Sequence, residues 1–66
     1  MRSQFDDLFA EANGRALRAY MRASGGEAEM HARDFELSRG EFSRALRKLQ
    51  KEGKAEPVGE CVWRLI

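Results

Sequence analysis

Gly40, Ser43, Arg44, Arg47 and Lys51 stand at positions i, i+3, i+4, i+7 and i+11. On a helix that spacing places them along one stripe, with Phe42, Ala45, Leu46 and Leu49 on the opposite side. An arginine so presented can donate two N–H groups to O6 and N7 of one guanine, and a major groove about 12 Å wide admits a single helix. Lysine offers a point charge that holds a phosphate and sets register without reading sequence. The pattern therefore predicts Arg44 and Arg47 at base edges, and Arg39 and Ser43 at bases or adjacent phosphates. Lys48, Lys51 and Lys54 fall to phosphates. Ser38 and Gly40 complete the candidate contact set at the helix start, where glycine lets the backbone come close to a ligand. The competing assignment for the same residues is a solvated face, or one turned to a protein partner.

The distribution of charge favours a local anionic partner. The 66-residue chain carries a formal net charge of only +1. Residues 38–54, however, hold Arg39, Arg44, Arg47, Lys48, Lys51 and Lys54 against Glu41 and Glu52 alone. The first thirteen residues are acidic and the tail after Lys54 slightly so, which concentrates the excess positive charge on one segment. Arg15, Arg18 and Arg22 are weaker candidates for phosphate contact.

Other chemistries find little support. Cys61 is the single cysteine and His31 the single histidine, so a disulfide framework and a Cys-rich zinc site are excluded. No glycine-rich phosphate loop, metal-ligand spacing or acid pair occurs. The expectation is a non-enzymatic protein without catalytic residues, metal, cofactor or small-molecule substrate. No apolar run reaches the roughly 20 residues of a membrane span. With a free thiol and no secretory segment, the chain is expected in the cytoplasm.

The elements that must position the basic stripe read as follows. Ser3 can cap a helix over about 4–23 with apolar Phe5, Leu8, Phe9, Ala12, Ala16, Leu17, Tyr20 and Met21, either continuous or broken at Asn13-Gly14. Ser24-Gly25-Gly26 stops it. An extended stub over 27–31 leads into a brief helix over 32–37. Ser38-Arg39-Gly40-Glu41 has the spacing of a capping box and opens the basic helix, which ends at Gly53. A hairpin follows, with Gly59-Glu60 as a type II′ turn, Pro57 confined to an edge strand, and Trp63 and Leu65 on the face toward the helices.

Helix, stub, short helix, capped basic helix and hairpin is the order of a winged helix-turn-helix. From about Gly14 to Ile66 the chain resembles that class of DNA-binding domain. The closest stretch, Ser38 to Lys54, resembles the recognition helix of MarR-type repressors, with Ser-Arg at its start and Glu-Gly at its end. Val62-Trp63-Arg64-Leu65 resembles the returning wing strand. The resemblance implies a mainly α fold with a small β-hairpin: three helices plus a two- or three-stranded wing. It also implies sequence-specific binding of double-stranded DNA by a small transcriptional repressor or regulator. Trp63 carries a second resemblance, to Z-alpha domains, which bind left-handed nucleic acid. Ser43 and Arg47 stand where those domains have Asn and Tyr, and their paired prolines are missing. The segment between Ala32 and Ser38 is about a turn shorter than usual, and the wing tip bears Glu60 in place of a basic residue.

Residues 1–13 form a helical extension before the domain proper, 14–66. Phe5, Leu8 and Phe9 there either cover the domain's own core or form a homodimer interface, which would suit a two-fold DNA site. The rival functional classes are a winged helix that binds protein and no DNA, and a binder of Z-form nucleic acid or RNA.

Overall fold

The computed structural model describes residues 4–66, with side chains from Leu8 onward. Ser3 and the side chain of Phe5 lie outside the described residues. Helix α1 spans Gln4–Ala23 and α2 spans Arg39–Lys51. Strands β1 (Glu27–Glu29), β2 (Ala55–Gly59) and β3 (Val62–Leu65) form one antiparallel sheet in the order β1-β3-β2. Among the described residues no helix is long and apolar enough to cross a membrane.

Helix α1 runs through Asn13-Gly14 without a break. Its buried stripe is Ala10, Gly14, Leu17 and Met21, while Leu8, Ala12, Ala16 and Tyr20 of the stripe expected from sequence stay exposed. The reason is the approach of α2. A β-carbon on Gly14 would stand 3.2 Å from Cδ2 of Leu49, a side chain only 3% exposed. Small residues at 10 and 14 thus let the two helices pack closely. A Gly14→Leu variant should lose about 1–3 kcal/mol through overpacking, read by chemical denaturation. An unchanged midpoint would mean that the helices do not touch there.

Both helices end alike. Gly26 N–H donates to the Met21 carbonyl at 2.7 Å and Gly25 N–H to that of Arg22, while Lys54 N–H donates to Leu49 at 2.9 Å and Gly53 N–H to Gln50. Gly25 and Gly53 supply the left-handed residue that each of these Schellman closures requires, at φ 86° and 72°. The chain is thereby turned into β1 after α1 and into β2 after α2.

The expected second helix is a single 3-10 turn, Ala32–Phe35, so the described residues contain two α-helices rather than three. Glu36, at φ 56°, ends the turn in the left-handed region, and six residues before Ser38 leave no length for a further turn. The stub is a true strand: Glu27, Ala28 and Glu29 pair with Arg64, Trp63 and Val62. Pro57 lies on edge strand β2, as its missing N–H demands.

The hairpin tip differs from expectation. The register shifts between Pro57 and Gly59, which leaves Val58 as the extra residue of a bulge and carries Gly59 into the ladder opposite Val62. Glu60 and Cys61 form the turn, and Cys61, not Gly59, takes a positive φ of 61°. Trp63 and Leu65 pack against the core on a shared face, as the period of two predicts. That core joins Leu17 and Met21 of α1, Met30 just after β1, Ala45, Leu46 and Leu49 of α2, and Ala55 of β2.

Candidate nucleic-acid interface

The capping box fixes where α2 begins and so which residues its outer face presents. Glu41 N–H donates to Ser38 Oγ at 3.2 Å, and Ser38 N–H donates to Glu41 Oε1 at 3.0 Å. The Ser38 backbone N–H, then its hydroxyl, and more weakly the Arg44 charge hold the Glu41 carboxyl below its ordinary value. Because the folded value is the lower one, this contribution to stability is complete above the ordinary carboxylate range and disappears as pH falls through the depressed value. Ser38→Ala should cost about 1 kcal/mol, and Glu41→Gln should flatten the acid side of the stability profile. Denaturation midpoints measured from neutral pH down into the acid range check both, and parallel profiles for Glu41→Gln and the unaltered chain would remove the assigned role.

With that start, Gly40, Ser43, Arg44, Arg47 and Lys51 share one face, and Lys48, which the spacing left off the stripe, joins them. They line a groove of about 780 Å³ whose other wall includes Ala10 of α1. Their backs are anchored by buried Ala45, Leu46 and Leu49, with Phe42 half-buried and stacked on Phe35 at 6.1 Å between ring centroids. Tyr20 meets Phe35 edge-on at 5.2 Å, fixing the 3-10 turn between the helices.

The cations are not equivalent. Arg39, Ser43, Arg47 and Lys51 are exposed, whereas Arg44 is half-buried and also borders a small furrow with Phe9, Ala10, Asn13 and Glu41. Among the described residues, Arg39, Arg44, Arg47 and Lys51 have no ion-pair partner within 4.0 Å. Lys48 and Lys54 each sit 3.5 Å from a Glu52 carboxylate oxygen. Desolvation would raise the Glu52 carboxyl, but the two ammonium groups outweigh it and hold it below its ordinary value. Neither lysine is paired with Glu41.

Arg39 and Lys54 stand apart from the main groove. Arg39 lines a second one of about 570 Å³ with Met30, His31, Arg33, Phe42 and Cys61, between the 3-10 turn and the hairpin tip. Lys54 lines a furrow of about 150 Å³ with Arg15, Arg18 and Lys48. Ser38 is engaged in its cap. Sequence reasoning missed Ala10 and Arg33, because only the folded chain shows what lies across a groove.

The hairpin adds little positive charge. Arg64 forms an ion pair with Glu56, its cross-strand neighbour, and Glu60 is exposed at the tip. Trp63, which carries the Z-alpha resemblance, is half-buried against the core. Leu8 and Phe9 are 60% and 62% exposed, so they do not cover this chain's own core. Among the described residues no three His, Cys, Asp or Glu side chains gather as metal ligands. Family models, curated proteins and solved structures were each compared with the chain, and none of them matches.

Proposed function

We propose that this chain is a winged-helix domain that binds duplex DNA in a sequence-specific way, with α2 lying in the major groove, and that it acts as a small transcriptional regulator. The observation that carries the reading is the outer face of α2: Arg47 and Lys51 exposed, Arg44 beside them, and no carboxylate of the described residues within ion-pair range of any of the three. A helix that ends in a buried apolar back and an uncompensated cationic front meets the two demands of groove insertion, rigid support and charge complementarity. The capping box and the Schellman closure hold both ends of that helix.

The test is a gel shift with random-sequence duplex at low salt, followed by selection of bound sites from a random library. Retention that falls steeply with salt and a recovered motif support the reading. Failure to bind any duplex at low salt overturns it and leaves the protein-binding winged helix as the function. Glu52→Gln should tighten duplex binding modestly, since exposed ion pairs are weak and the change releases Lys48 and Lys54. Weaker binding by that variant would show that Glu52 positions the lysines rather than masking them.

The same reading includes a homodimer through the exposed Leu8 and Phe9 of α1, which would match a two-fold site. Sedimentation of the unaltered chain and of a Leu8→Ser, Phe9→Ser double variant checks it. A monomer in both cases removes the dimer and leaves the DNA reading intact.

A further inference from the structure

Beside the main groove lies the furrow between α1 and the C-terminal half of α2, about 150 Å³ in volume. Its charged lining is Arg15, Arg18, Lys48 and Lys54 against Glu11 and Glu52. Arg15 is held by Glu11 at 3.2 Å, and the two lysines share Glu52. Arg18 has neither arrangement. It is half-buried, and its Nε is fully covered and has no hydrogen-bond partner among the described residues.

We infer that this furrow seats one phosphate of the DNA backbone, with Arg18 as its principal donor. The inference rests on the proposed binding of duplex by α2. Three features point to phosphate. Four cations face two carboxylates, so the furrow has surplus positive charge that a water molecule would leave uncompensated. The space is several times the roughly 30 Å³ that one water occupies. The furrow is also contiguous with the α2 groove, sharing Ala10 and Lys48 with it, so a strand lying against α2 passes its mouth. With Nε covered, the Arg18 guanidinium offers its terminal N–H groups, a donor pair whose geometry suits two oxygens of one phosphate. Arg18 then adds affinity without reading sequence.

The test uses the whole chain. The Nε–H resonance of Arg18 is followed by nuclear magnetic resonance during titration with random-sequence duplex, and in parallel with inorganic phosphate. The salt dependence of binding is measured for Arg18→Gln. We expect the Nε–H signal to move with duplex, and Arg18→Gln to reduce the slope of log affinity against log salt by about one, equally on random and selected sequences. If α2 resonances move while Arg18 does not, and the slope is unchanged, the phosphate seat is refuted and the reading of α2 stands. If no resonance responds to duplex, both fall. A response to inorganic phosphate alone would make the furrow a small-anion site and overturn the backbone assignment. Because the resonance is read on the unaltered chain, a folding defect in Arg18→Gln cannot decide the matter.

Discussion

Leu17→Ala should lower the melting temperature by at least about 10 °C and leave much of the population unfolded in mild denaturant. Leu17 is fully buried where α1 meets α2, in contact with a cluster that includes Met21, Met30, Leu46 and Leu49. Removing three carbons from such a site costs about 2–5 kcal/mol, the loss of transfer energy plus that of the cavity. A domain of this length has a total stability of roughly 3–10 kcal/mol, so the substitution takes a large part of the margin. Each kcal/mol moves the melting point of so small a domain by about 4–8 °C. No disulfide is available to absorb the loss, since Cys61 is the only cysteine. Leu17→Met, which keeps the volume, should cost less than about 1.5 kcal/mol. Circular dichroism melts of the two variants check this, and equal melting points for both would mean that the core does not depend on the seam between α1 and α2.

That seam marks the limit of what the sequence displays. Several local signals were legible. Ser38 and Glu41 cap each other three residues apart, Gly25 and Gly53 close their helices, and alternation along β3 turns Trp63 and Leu65 inward. Each depends on neighbours within a few positions. The face of α1 was not legible, because steps of three and four fit two adjacent stripes. The sequence suggested a stripe with Leu8, Ala12, Ala16 and Tyr20 beside Leu17 and Met21; close packing of α2 keeps the last two and sets Ala10 and Gly14 beside them instead. Likewise β1 exists only because β3 lies beside it, and the bulge at Val58 moved the turn one residue past the glycine that announced it. The candidate site divides in the same way. Co-facing of Gly40, Ser43, Arg44, Arg47 and Lys51 follows from helical period alone. The wall that α1 raises beside them, and the half-burial of Arg44 against it, do not.

This asymmetry decides which arginine should read bases. Arg47 is exposed midway along the groove, between Arg44 and Lys51, with no ion-pair partner among the described residues. Its guanidinium has no competing contact there to give up on binding. Arg47→Ala should therefore weaken a selected site by about 1–3 kcal/mol, or roughly 5- to 150-fold, and relax discrimination at one base pair. Arg47→Lys should recover most of the non-specific affinity and little of the discrimination, because an ammonium cannot bond two acceptors of one guanine in a fixed plane. Lys51→Ala should lose affinity equally on every sequence and reduce the salt slope by about one. Arg44→Ala should fall between these, since much of its side chain is already buried, beside Phe9 and Asn13. Binding of all four variants to a selected and a random duplex, each over a range of salt, separates the roles. Should Arg47→Ala weaken both duplexes by the same factor, Arg47 is a phosphate contact like Lys51, and base recognition by this face of α2 is disproved.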